Sequence, residues 1–149
     1  MVDITSYLEP DLVLFLEVET QEEVLSRLVD LLASRGKLDN KEAFLKAVLA
    51  REALVSTGIG MGVAIPHAKL AIYDDFFIAI GILKRGVEWD ALDAAPVRIV
   101  FMIGGPDDKQ TEYLQILSRL TCALKDEQRR KKLLQLSHGE EIVGLFESI

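Results

Sequence analysis

Two strongly apolar runs, at residues 76–83 and 97–103, limit the folds open to this chain more than any other feature. Nearly every residue in them is hydrophobic, a pattern typical of strands that are buried on both faces. Such strands need helices above and below the sheet. Apolar residues recur at helical spacing after Thr20, Asn40 and the pair Asp107-Asp108, and each of these residue types favours a helix N-cap.

The order of these segments predicts an α/β fold. We expect a single domain over residues 1–149, with a central mixed β-sheet flanked by helices on both faces, which is a three-layer αβα sandwich. The glycines of Gly104-Gly105-Pro106 should end the second apolar run. Shorter elements are expected as strands at 12–18 and 63–65 and as helices at 127–136 and 140–148.

Cysteine and histidine are too few for several common kinds of site. Cys122 is the only cysteine, so an internal disulfide is excluded, and with His67 and His138 it cannot assemble a zinc motif. We therefore expect no metal, and we also expect no cofactor. The first residues lack the basic flank and apolar run of a signal peptide, and the run 76–83 is far shorter than the ~20 residues that span a bilayer. These features predict a soluble cytoplasmic protein without membrane insertion.

The distribution of charge argues against nucleic acid as a partner. The net charge is -7, and residues 1–30 hold eight acidic residues and one basic residue. The chain has one basic run, at 129–132, but leucines follow it as they do on a helix with one solvated side.

The segment from Ser56 to Lys69, STGIGMGVAIPHAK, gives the strongest indication of chemistry. Its histidine, His67, has an unperturbed pKa of about 6.5, so much of the imidazole is uncharged and nucleophilic near neutral pH. Backbone N–H groups beside Gly58 and Gly60 can hold an anion, unless these are simple turn glycines. The combination predicts a phosphate site in which His67 is the nucleophile.

Phosphoryl transfer to histidine depends mainly on positioning and charge. One ring nitrogen must be free, the other must be held by an acceptor, and donors must surround the phosphoryl oxygens. Arg51 offers a permanent charge and a planar fork, although it could also be a surface charge at a helix end. Ser56 and Thr57 could bind phosphate or could end the preceding helix and shape the turn.

Other phosphate-binding and hydrolytic motifs do not fit the chain. Val63 stands where the third glycine of a dinucleotide fingerprint belongs, and no P-loop Gly-Lys-Ser/Thr occurs. Ser56 lies outside any Gly-x-Ser-x-Gly elbow.

The segment Ser56–Lys69 resembles, nearly residue for residue, the active-site signature of enzyme IIA of the bacterial phosphotransferase system, in its fructose, mannitol and nitrogen-related class (type 2). Arg51-Glu52 matches the Arg-Glu pair of that family, and residues 87–93 with Pro96-Val97 match its next block. The resemblance implies the same layered fold. It also implies that a small histidine-phosphorylated carrier protein, similar to HPr, phosphorylates His67, which then passes the group on or serves as a regulatory mark.

One position departs from that family. Its catalytic members commonly carry a second histidine where this chain has Tyr113, followed by Leu114 and Leu117. A tyrosine hydroxyl can donate to a phosphate oxygen but carries no positive charge near neutral pH. Tyr113 is therefore either a phosphate contact or part of the apolar stripe of its helix.

The resemblance implies a phosphotransferase component that is mainly regulatory. Ser-Thr-Gly-Ile-Gly before Pro66-His67 most resembles the nitrogen-regulatory branch, whose partner downstream is a regulatory target. A fructose- or mannitol-type component that relays phosphate to a IIB domain is the alternative, because Ala68 is also common there. A different class of protein, a binding regulator of the same fold without phosphorylation, is the third hypothesis.

Overall fold

The two apolar runs form the centre of a six-stranded mixed sheet in the computed structural model, which describes residues 2–147. The strands are β1 Val13–Leu16, β2 Gly58–Gly60, β3 Val63–Ala64, β4 His67–Lys69, β5 Phe77–Val87 and β6 Val97–Gly105. Their order is β1-β5-β6-β3-β2, and β4 also pairs with β6. β5 and β6 are antiparallel, whereas β1 runs parallel to β5, and β3 and β4 run parallel to β6.

Helices cover both faces of this sheet, so the predicted αβα layering is confirmed. They are α1 Gln21–Ser34, α2 Lys41–Leu54, α3 Gln110–Leu124, α4 Glu127–Leu133 and α5 Gly139–Gly144, with 3-10 turns at Ile4–Tyr7 and Pro10–Leu12. Alternate residues of β5 pack into different layers: Ile78 and Ile80 join the core beneath α3, and Ala79 and Leu83 join the core beneath α1 and α2. No helix within residues 2–147 is long and apolar enough to cross a membrane.

The predicted starts of the first two helices are confirmed, and that of the third is wrong. The Thr20 hydroxyl accepts a hydrogen bond from Glu23 N at 3.2 Å, and Asn40 Oδ1 accepts from Ala43 N at 3.0 Å. α3 instead begins after Lys109, which makes no side-chain cap. Asp107 and Asp108 lie in the bend that follows the C-terminal end of β6.

Several boundaries differ from the predicted ones because packing, rather than local composition, sets them. β6 continues through Gly104 and Gly105 because both residues still pair with β4. The rings of Phe77 and Phe76 occupy the space that Cβ atoms would need there, so only glycine fits at these positions. β5 extends to Val87, where it still pairs with Val97. β1, α4 and α5 are shorter than predicted, and the predicted helix end at Ser148 lies outside the described residues.

The basic run at 129–132 has a role in this fold. Arg129 donates to the carbonyls of Ala123 (2.9 Å) and Leu145 (3.0 Å), and Arg130 donates to the carbonyl of Leu124 at 2.6 Å. Two of the four cations therefore bind carbonyl groups at the C-terminal end of α3, where a positive charge also favours the helix dipole.

Candidate active site

An interruption in one edge of the sheet places His67. β3 and β4 both pair with β6, at Ala64↔Val100 and His67↔Ile103, and the residues between them are Ile65 and Pro66. Pro66 has no N–H, and Ile65 N turns away to donate to the carbonyl of Thr57 at 3.1 Å. The strand predicted at 63–65 ends one residue earlier, at Ala64, and a second strand that was not predicted begins at His67, whose ring is half-buried.

The surroundings of the His67 ring favour the neutral imidazole. Nδ1 lies 3.1 Å from the carbonyl oxygen of Ile65 and donates to it, because a carbonyl can only accept. Nε2 has no hydrogen-bond partner within residues 2–147. Burial lowers the pKa of His67 below 6.5 and Arg51 and Lys69 lower it further, against the opposing effects of the Ile65 hydrogen bond and Glu52.

A cavity of about 240 Å³ opens beside this ring. Its lining brings together most of the residues predicted for the site, from α2, the segment after it, β4 and α3. The lining residues are Arg51, Ser56, Thr57, Ile59, Ile65, His67, Tyr113, Leu117 and Thr121.

Arg51 lies in the last turn of α2 and is half-buried. Its Nη1 donates to the carbonyl of Val55 at 2.7 Å, and no other hydrogen bond of its guanidinium is formed within residues 2–147. Since a guanidinium has five N–H groups, most of its donors stay available to an anion in the cavity.

Tyr113 packs in the core and also lines the cavity beside His67. Its ring is buried against Phe76, with the ring centroids 6.1 Å apart, and lies 5.4 Å from the His67 ring. Burial raises the pKa of Tyr113 to about 12, although Arg51 opposes the shift, so the hydroxyl keeps its proton near neutral pH. Within the described part of the chain no group hydrogen-bonds that hydroxyl, which is therefore a free donor.

The hydroxyl groups of Ser56 and Thr57 are already used by the fold. Ser56 Oγ donates to the carbonyl of Trp89 at 2.6 Å and accepts from Gly58 N at 3.0 Å. Thr57 Oγ1 donates to Glu52 and accepts from the Trp89 indole N–H at 3.3 Å. Because a hydroxyl has one proton, neither has a proton left for a phosphate oxygen. The structure thus favours the alternative in which both residues shape the turn after α2.

Gly58 and Gly60 belong to a β-hairpin, β2–β3, rather than to an open loop, and they do not line the cavity. A Cβ on Gly58 would come within 2.8 Å of the Ala91 Cβ. Gly60 has φ +97° and leads into a turn in which Met61 and Gly62 also have positive φ. Packing and turn geometry account for both glycines.

Sequence reasoning missed the residues that support the site. Glu52 accepts from Thr57 N at 3.0 Å, from the Thr57 hydroxyl and from the Trp89 indole N–H at 3.4 Å. Asp93 accepts from Met61 N at 3.0 Å, which holds the hairpin turn and lowers the pKa of that carboxyl. Lys69 Nζ lies 4.1 Å from the centroid of the Tyr113 ring. The sequence blocks of the family include Glu52, Trp89 and Asp93, but the sequence does not indicate which groups these residues contact.

Comparison with known proteins assigns the family. A family described as "Phosphoenolpyruvate-dependent sugar phosphotransferase system, EIIA 2" matches residues 6–149. The chain belongs to this family. It is accordingly a phosphoryl-relay domain, and its layered fold is the one that the resemblance implied.

Relatives of this EIIA domain include sugar-transport and regulatory proteins. The chain is 39% identical over 131 residues to the fructose-specific EIIABC component of Bacillus subtilis, covering 88% of this chain but only 21% of that protein. It is 32% identical to a nitrogen regulatory protein of Bradyrhizobium diazoefficiens, over 96% of this chain and 94% of that one. The crystal structure of the nitrogen regulatory protein IIA-Ntr from Neisseria meningitidis has a TM-score of 0.89 at 28% identity and covers 96% of this chain and 98% of that one.

Proposed function

We propose that His67 accepts a phosphoryl group on Nε2 from a small histidine-phosphorylated carrier protein similar to HPr. The observation that carries this proposal is the arrangement of the His67 ring: Nδ1 donates to the Ile65 carbonyl, which leaves Nε2 with its lone pair. The lowered pKa of His67 keeps that lone pair available near neutral pH.

The transfer breaks the nitrogen–phosphorus bond of the donor and forms a bond between phosphorus and Nε2. The Nδ1 proton stays on the ring and remains bonded to the Ile65 carbonyl, so no base is needed to remove it. Arg51 and the Tyr113 hydroxyl then donate to the phosphoryl oxygens. Such a site accelerates transfer mainly by stabilising the charge that spreads over the phosphoryl oxygens in the transition state.

The test is incubation with phosphoenolpyruvate and the two upstream carrier proteins, followed by intact-mass measurement. The wild type should gain one acid-labile phosphoryl group, and His67→Ala should gain none. His138→Ala is the matched control, because His138 is the only other histidine and lies on the surface. A gain in His67→Ala, or no gain in the wild type, would contradict the proposal.

Within the family we place the domain in the nitrogen-related, mainly regulatory branch, with a regulatory protein as its downstream partner. The near end-to-end match to a nitrogen regulatory protein supports this choice. Tyr113 supports it as well, since a neutral donor holds a phosphoryl group less strongly than a cation does.

A second candidate is a sugar-transport component that delivers phosphate to a IIB domain, and the higher identity to the fructose-specific relative favours it. Mixing the phosphorylated domain with a fructose-type IIB domain separates the two. Rapid loss of phosphate from His67 to IIB identifies a transport relay, whereas retention of the phosphate supports a regulatory mark. A domain that is never phosphorylated would instead be a binding regulator.

A further inference from the structure

A carboxylate outside the cavity lining anchors the backbone that orients His67. Glu52 accepts hydrogen bonds from both the N–H and the hydroxyl of Thr57. The Thr57 carbonyl accepts from Ile65 N at 3.1 Å, and the Ile65 carbonyl accepts from His67 Nδ1 at 3.1 Å. A continuous series of contacts therefore runs from the last turn of α2 to the imidazole.

We propose that Glu52 is a positioning residue for phosphoryl transfer, which fixes the tautomer and orientation of the His67 ring through Thr57 and Ile65. The inference rests on the proposed function, because orientation matters only if Nε2 is the nucleophile. It assigns Glu52 no contact with the phosphoryl group. An acceptor can orient the ring only if it is itself held rigidly. Here the Ile65 carbonyl is the acceptor, and the Glu52 carboxylate holds the backbone that carries it.

The packing around Thr57 shows why the anchor is needed. Val55, two positions before Thr57, is exposed, whereas Thr57 itself is only 6% exposed. A buried N–H and hydroxyl need partners, and both find them on Glu52. Trp89, which is 2% exposed, donates to the same carboxylate, so the segment after β5 is tied to this point too. Without Glu52 the Thr57 N–H would be unpaired, and the segment would have to move to find water.

A purely electrostatic role and a positioning role of Glu52 predict different outcomes. The charged and titratable groups around His67 are Arg51 and Glu52 from α2, Lys69 from β4 and Tyr113 from α3. Removing the negative charge of Glu52 lowers the pKa of His67 further, whatever else it does. Only a positioning role also changes which ring nitrogen carries the proton.

The experiment compares Glu52→Gln with the wild type by ring ¹⁵N NMR of His67, using His138 as the internal reference. Glu42→Gln is the matched control, since it removes an exposed carboxylate from the other end of α2. At pH 7.5 the wild type and the control should show the proton on Nδ1. Glu52→Gln should show a mixture of tautomers and phosphorylation slowed about 10-fold, the lower end of what partners of a histidine contribute at metal sites.

Unchanged tautomer and transfer rate in a folded Glu52→Gln variant would overturn the proposal. If that variant does not fold, Thr57→Val serves instead, because it removes the hydroxyl contact to Glu52 and keeps the shape, and it should shift the tautomer in the same direction. A wild-type ring with its proton on Nε2 would overturn the proposal without any variant. A wild type that shows the Nδ1 proton but takes no phosphate would refute the proposed function, while a tautomer change in Glu52→Gln would still support the orienting role.

Discussion

Replacing Arg51 by glutamine should slow phosphorylation of His67 by about 10²-fold, as found when one donor to a developing oxyanion is deleted. At an effective dielectric constant of about 20, unit charges ~4 Å apart interact by about 4 kcal/mol. Arg51 is half-buried, so solvent screening reduces that figure, and a net loss of about 3 kcal/mol corresponds to the expected factor. Glutamine keeps a neutral N–H donor on a shorter side chain, so the loss measures mainly the charge and the reach of the guanidinium.

The fold should tolerate this change. The only hydrogen bond that the guanidinium makes within residues 2–147 is the one to Val55 O, and its loss costs about 1 kcal/mol of the free energy of unfolding. Lys46→Gln is the control, because Lys46 is an exposed cation on the same helix and its removal changes the net charge equally. Lys46→Gln should be phosphorylated at the wild-type rate.

The assay is single-turnover transfer from the phosphorylated carrier, followed by rapid quenching and intact-mass measurement. Varying the domain concentration separates docking from the chemical step. A slowed chemical step with unchanged docking fits charge stabilisation at the phosphoryl group. The reasoning is refuted if Arg51→Gln and Lys46→Gln transfer at the same rate, whether that rate is the wild-type rate or a slower one. Arg51 would then act at most as part of the overall charge.

Two further predictions concern the same cavity. Tyr113→Phe should slow phosphorylation by up to about 10-fold, the worth of one hydrogen bond, while Tyr113→His should restore a group that can carry charge and speed transfer; equal rates in all three would reduce Tyr113 to packing. Folding lowers the pKa of His67, whereas a stabilising partner would raise it. The contribution of His67 to the free energy of unfolding is therefore complete above about pH 6.5 and is lost as the pH falls toward the folded-state pKa. Urea unfolding at several pH values should therefore show less acid dependence in His67→Gln than in the wild type, and an identical dependence in both would contradict the lowered pKa.

The features that the sequence predicted well are those determined by local pattern. The two apolar runs identified β5 and β6, because a strand buried on both faces has few polar positions to offer. Thr20 and Asn40 marked helix starts because their side chains act on residues only three positions away. The predicted cap of α3 is wrong because Asp107 and Asp108 lie in the bend that follows β6, before the helix begins.

The hydrogen-bond assignments of the site could not be read from the sequence. Whether Ser56 has a proton for phosphate depends on the carbonyl of Trp89, which lies 33 residues away along the chain. The same is true of Thr57, whose partners are on α2 and in the segment after β5. Motif matching finds which residue types meet, but the donor and acceptor of each bond follow only from their three-dimensional arrangement.

The position of the cavity explains why its two free donors come from distant parts of the chain. Beyond the end of β3, β4 forms the edge of the sheet, and within residues 2–147 no strand pairs with its outer side. Helices from opposite layers can approach each other only past such an edge. Arg51 from α2 and Tyr113 from α3 therefore both line the cavity beside His67. Since each donor belongs to a different layer, the packing of α2 and of α3 against the sheet both determine the geometry that a phosphoryl group on Nε2 would encounter.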